Sequence, residues 1–212
     1  MAQKYTDITT VLLGLDGVIV DTRKAHDDFW NSMAEESGLK IDNFSAVIDG
    51  MTVGSILDLY FTLCSPEEKQ LIREKGAEID AKTDYTKIVI PAVLDFIHYL
   101  KAEGYKIGIV TSSAKTKVDN VLQQLNLENT FDTIISAESI KKGKPDPMGY
   151  VLAQTNLGVQ NSECVVFEDA FTGIKAATYA FMRVIGVATT LSEDFLKDYS
   201  YDVIRDFTDM DK

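Results

Sequence analysis

Long apolar runs are missing from this sequence, and no stretch approaches the ~18 residues that a membrane-spanning helix needs. Cysteine is scarce. Cys64 and Cys164 cannot build a disulfide framework, and their surroundings, FTLCS and ECVVF, read as buried free thiols suited to a reducing cytoplasm. Basic charge is in deficit: 21 Lys and Arg stand against 33 Asp and Glu, a net charge of −12 with both His neutral. Nucleic acid demands clustered Lys and Arg, so it is excluded as a partner, and an anionic membrane surface is disfavoured for the same reason. The opening MAQKYTDITTVLLGLDG has neither a cationic flank nor a small-residue cleavage site, so no secretory signal is read there. Repeats and low-complexity segments are also absent. What remains is an ordinary globular composition, 45% apolar and 25% charged. A chain of 212 residues buries about 70% of its unfolded surface and needs no covalent staples.

A short apolar run, a turn and an amphipathic stretch recur along the chain. The runs are Ile8–Leu15, Lys106–Thr111, Thr133–Ser136, Cys164–Phe167, Arg183–Val187 and Asp202–Arg205. Helical patterns separate most of them, at Ala92–Glu103, Lys115–Leu125, Gly149–Asn156 and Thr172–Ala180. Continuous apolar runs are the mark of parallel strands buried on both faces, and strand–helix alternation implies an open α/β sheet. Between about Arg23 and Tyr85 the rhythm breaks. Helices over Lys24–Glu36, Val53–Leu63 and Glu67–Ala81 (opened by Pro66) form an inserted helical unit, and Pro91 marks the return to the core. Gly38 and Gly104 fall where helices stop. The acidic tail Asp206–Lys212 reads as a solvated end.

Ligands of open α/β sheets bind beyond the carboxyl ends of the strands. Asp16, Asp21 and Thr22 follow the first run, Thr111, Ser112 and Ser113 the second, Lys144 in KKGKPDP the third, and Glu168 with Asp169 the fourth. Hard oxygen donors of this kind suit Mg²⁺, and a lysine with a hydroxyl suits a phosphoryl group. Taken singly, an acidic residue after a strand serves equally well as a helix cap.

The order and spacing of LLGLDGVIVDT, IVTSS, KKGKPDP and VFEDAFTGIKAA resemble the four motifs of the haloacid dehalogenase superfamily, most closely its β-phosphoglucomutase-like phosphatases. The resemblance runs over residues 9–208. It implies a Rossmann-like three-layer core (residues 1–21 and 86–212), a small α-helical cap (22–85) inserted after the first strand, Mg²⁺, and phosphoryl transfer through an aspartyl-phosphate. Carried over by position, it makes Asp16 the general acid/base, with its backbone carbonyl on the metal. Thr111 and Lys144 then hold the phosphoryl group, Asp169 ligates the metal, and Glu168 lies in or just behind that shell. Ser112, Thr22, His26 and Gly50 would line the substrate site.

One position departs from the pattern. The family's nucleophilic aspartate is replaced by Gly14, which has no side chain to attack phosphorus or to bind metal. The expected function is therefore a phosphohydrolase scaffold for a small phosphorylated metabolite, impaired at its covalent step; the alternative is a natural pseudophosphatase that binds such a ligand without turnover. In the cap loop IDGMTVGSIL, Asp49 and Val53 flank Gly50 where phosphoglucomutases carry basic residues, which argues against a hexose-phosphate mutase. Thr22 has a plainer reading as a helix cap and His26 as a residue packing near Trp30. Phe181 stands where the family has glycine, at an expected cost in local packing. The expected state is a monomer or weak homodimer.

Overall fold

The computed structural model describes residues 7–211; the first six residues of the N-terminal segment and Lys212 lie outside it. Six parallel strands, β1 (Thr10–Leu13), β2 (Lys106–Val110), β3 (Thr133–Ile135), β4 (Cys164–Glu168), β5 (Arg183–Val187) and β6 (Asp202–Ile204), form one sheet in the order β3-β2-β1-β4-β5-β6. The apolar runs foretell all six: β5 has the expected bounds, β4 runs one residue further, β2, β3 and β6 end one residue sooner, and β1 is shorter by two residues at each end. β1 is central and pairs with β2 (Thr10 opposite Lys106) and β4 (Thr10 opposite Cys164). Its alternation serves both faces. Val11 and Leu13 enter one core with Ile107, Val165 and Phe96, while Leu12 enters the other with Val110, Val166 and Tyr150. Both faces are therefore buried beneath helices, which is why β1 reads as unbroken apolar sequence. The chain leaves β1 toward β2 on one side and later returns to β4 on the other. The order thus reverses beside β1, where doubly wound sheets place their ligands.

Four helices lie between β1 and the next core helix: α1 (Arg23–Glu36), α2 (Phe44–Val47), α3 (Val53–Leu59) and α4 (Pro66–Lys82). They gather around their own apolar cluster of Trp30, Phe44, Ile56, Phe61 and Ile72. α3 stops at Leu59, short of the expected Leu63. Phe61 turns inward against Trp30 and Phe44, and Ser65 then opens α4 with a reciprocal capping box to Glu68. The segments entering and leaving this helical unit run side by side. Val20 bridges Val89 in antiparallel fashion, flanked by Asp21 N–H to Ile88 O (2.7 Å) and Ile90 N–H to Ile19 O (2.9 Å). The remaining helices are α5 (Val93–Ala102), α6 (Lys115–Gln124), α7 (Met148–Leu157), α8 (Phe171–Tyr179) and α9 (Glu193–Lys197).

Three expectations need correction. The acidic tail is not simply solvated, because Phe207 is buried against Phe96 and Phe167. Cys164 is buried, but Cys64 is partly exposed. Phe181 costs no packing, since its side chain is 81% exposed; its φ of +58° is what the family's glycine would relieve.

Candidate active site

β1 ends where Gly14 N–H donates to Phe167 O of β4 (3.0 Å). A Cβ placed on Gly14 would lie 2.9 Å from Val18 Cγ2 and 3.5 Å from Glu168 Oε1. The position therefore faces the Glu168 carboxylate. That carboxylate is 1% exposed and is held by the Lys144 ammonium and the hydroxyl of the fully buried Tyr150, both at close range. Burial and the neighbouring Glu168 charge push the Tyr150 hydroxyl well above its usual range.

Asp16 follows in the turn after β1. Thr22 Oγ1 (2.5 Å) and Ser113 Oγ (2.6 Å) donate to its carboxylate, and Lys117 Nζ lies 2.8 Å away. Burial pushes its carboxyl up, but Lys117 and the two hydroxyls outweigh that and hold it at about 2. Thr22 stands at the N-terminus of α1 without capping it, because its hydroxyl turns to Asp16. Lys117, in the first turn of α6, also reaches Asp80 of α4 at 3.4 Å. Burial depresses the Lys117 ammonium, yet the two carboxylates raise it on balance; burial raises Asp80.

After β2 the three hydroxyls diverge. Thr111 is buried and its oxygen accepts the Ser113 N–H at 3.1 Å. Ser112 donates to the Gly50 carbonyl in the loop before α3 (2.6 Å), and Ser113 serves Asp16. Thr172 at the start of α8 donates to Asp49 O of the same loop (2.9 Å). Gly50 has φ +76°, and a Cβ there would sit 1.9 Å from Thr172 Oγ1, so the loop seats on the core only with glycine. Arg23 holds the Asp49 carboxylate at 3.4 Å. His26 lines the same cavity, and burial lowers its imidazole against the pull of Asp49 and Asp16.

Asp169 follows β4 and is 7% exposed. Burial and the adjacent Glu168 push its carboxyl up to about 8, although Thr190 donates to it. It presses on the Asp16–Gly17 turn so closely that a Cβ on Gly17 would lie 1.9 Å from Oδ2. Among the described residues no group of three His, Cys, Asp or Glu side chains is arranged to hold a metal. A buried carboxylate that makes no ion pair among the described residues still suits Mg²⁺, which takes one or two carboxylates and completes its shell with water and phosphate. The donors fit that ion as a weak site built on Asp169.

Of the ten positions singled out in the sequence, nine line one cavity, and Gly14 lies behind it against Val18 and Glu168. Sequence reading passed over Lys117, Asp80, Tyr150, Thr172 and Thr190. Lys117 carries a legible signal, a cation in the first turn of a helix, against the helix dipole.

The sequence matches the family model described as haloacid dehalogenase-like hydrolase over residues 11–187. The chain is 35% identical to the Arabidopsis thaliana protein SUPPRESSOR OF QUENCHING 1, chloroplastic, over 94% of its own length but only 20% of that protein's. It is 26% identical to the phosphorylated carbohydrates phosphatase of Thermotoga maritima, covering 86% of this chain and 87% of that one. The crystal structure of β-phosphoglucomutase from Clostridium difficile superposes with a TM-score of 0.78 at 29% identity, over 93% and 90% of the two chains. With its parallel sheet, inserted helices and motif order, the chain belongs to the haloacid dehalogenase-like hydrolase family, in its β-phosphoglucomutase-like branch.

Proposed function

We propose that this chain binds a small phosphomonoester over the carboxyl ends of β1, β2 and β4, on a hydrolase scaffold whose covalent step is disabled at Gly14. The observation that carries this is the buried Lys144–Glu168 pair facing the place where a side chain on residue 14 would begin. In this reading Lys144 and the Thr111 hydroxyl hold the phosphoryl oxygens, and Asp16 lies toward the leaving oxygen. Asp169 and the Asp16 carbonyl are the groups that would hold Mg²⁺, which supplies charge neutralisation for those oxygens when bound. The relatives' names, a carbohydrate-phosphate phosphatase and a phosphoglucomutase, support a small phosphorylated metabolite as ligand. The free Cys64 and Cys164 support a reducing compartment, the cytoplasm in this reading.

A second reading, a pseudophosphatase that binds without turnover, is favoured by the hold of Lys117 on Asp16. A carboxyl kept at about 2 has no proton to give a leaving group. Phosphate release with Mg²⁺ from an aryl phosphate and a panel of sugar phosphates, compared between this chain and Gly14→Asp, separates the two. Turnover confined to the variant supports the disabled hydrolase. A folded, silent variant that still binds phosphate supports the binder, and loss of both binding and turnover overturns both. Val18 must shift to admit the new Cβ, at a cost of about 1–2 kcal/mol in stability.

A further inference from the structure

The cavity over Asp16, Thr111 and Lys144 has a volume of about 1020 Å³, at the upper end for small-molecule sites. It continues beneath the helical unit, where Phe29, Trp30, Ile56, Ile72, Gly76 and Ile79 wall it. Its charge is the first limit on what fills this lobe. The walls carry seven carboxylates against five Lys and Arg. Arg23 is spent on Asp27 and Asp49, Lys117 on Asp16 and Asp80, and Lys144 on Glu168; Arg73 and Lys141 are exposed to solvent. A second phosphate carried into the lobe would meet carboxylates and cations already paired, apart from the solvent-facing Arg73 and Lys141.

Hydrogen bonding is the second limit. The hydroxyls of Thr52 and Ser55 bond each other at 2.9 Å, and Tyr85 OH is given to Asp80 at 3.2 Å. Asn120 donates to Asp80 O and accepts from Gln124, both at 3.0 Å. His26 adds one imidazole to the walls. A polyol would bring several hydroxyls against neutral polar groups most of which are already engaged with one another, and an unpaired polar group inside the site weakens binding. Gly76 widens the lobe: even a Cβ there would come within 3.4 Å of the Phe29 ring.

We infer that the lobe receives the uncharged, largely apolar body of a phosphomonoester, aromatic or branched aliphatic, rather than a polyol or a bisphosphate. The inference rests on the phosphomonoester reading above. Calorimetric titration of this chain with inorganic phosphate, 1-naphthyl phosphate, glucose 6-phosphate and fructose 1,6-bisphosphate tests it. The naphthyl ester is expected to bind at least about tenfold tighter than any of the other three, because only it buries apolar surface in the lobe. Gly76→Leu, which favours the helix while filling the space, is expected to weaken the naphthyl ester at least about tenfold and leave inorganic phosphate unchanged. Ile79→Ser, at a partly exposed position, gives the same direction should the first variant not fold. Equal or tighter binding of the sugar phosphate or bisphosphate overturns the apolar lobe, as does a naphthyl affinity that neither variant changes. A folded chain that binds none of the four ligands overturns the phosphomonoester reading itself.

Discussion

Replacing Asp169 by asparagine tests the electrostatics of the site directly. Asp169 is 7% exposed, beside a Glu168 that is 1% exposed, and its carboxyl stands at about 8 in the fold against an ordinary 3.8. A carboxyl raised by folding stabilises the fold fully below 3.8 and loses that contribution as pH rises through about 8. Between those limits folding takes up a proton, and stability falls by about 1.4 kcal/mol per pH unit. Over the roughly 3 units up to neutral pH this amounts to about 4 kcal/mol. Asparagine keeps the shape, can still accept the Thr190 hydroxyl, and carries no charge. Asp169→Asn is therefore expected to be more stable than the parent by a few kcal/mol near neutral pH, and equal to it near about pH 4. Urea unfolding across that range without divalent cations reads the difference. Added Mg²⁺ should stabilise the parent most at alkaline pH and leave the variant untouched. A parent whose stability is flat or rises between about pH 5 and 7.5, with a variant no more stable at neutrality, refutes the reasoning.

Two further substitutions probe other parts of the molecule. Lys117→Met leaves Asp16 and Asp80 facing each other without their cation. Both are about a third open to solvent, so the expected loss is about 2–3 kcal/mol, below the range for a fully buried pair; a change under about 0.5 kcal/mol in urea unfolding would count against it. Phe181→Gly relieves a φ of +58° on an 81% exposed side chain, and thermal unfolding should rise by about 1–3 °C. A fall in melting temperature would mean that the phenyl ring contributes contacts after all.

The fold was legible in the sequence where burial on both faces leaves continuous apolar runs, and β1 and β4 are the clearest cases. Less legible was where elements end. α3 stops early because Phe61 finds Trp30 and Phe44, and no local pattern encodes that meeting. The strand-end rule brought Asp16, Thr111, Glu168 and Asp169 to one place, since their positions follow from chain order alone. It could not assign partners. Whether Thr22 caps a helix or serves Asp16, and whether Ser112 or Ser113 turns to the carboxylate, depends on side-chain direction after a strand end. Tyr150 and Thr190 escaped notice because each approaches its carboxylate from a distant segment, as an ordinary-looking helix or loop residue.

The paired segments at Val20 and Val89 have a consequence for how this architecture diversifies. Their backbone bonds close the ends of the intervening chain, so to the sheet the whole helical unit is a loop of fixed span. Doubling the length of a flexible loop costs only about 0.6 kcal/mol in closure entropy. Helices can therefore be lengthened, exchanged or rebuilt between these anchor points while the six strands keep their register. Ligand preference can then be altered in the helical unit without moving the strand ends that carry Thr111, Glu168 and Asp169.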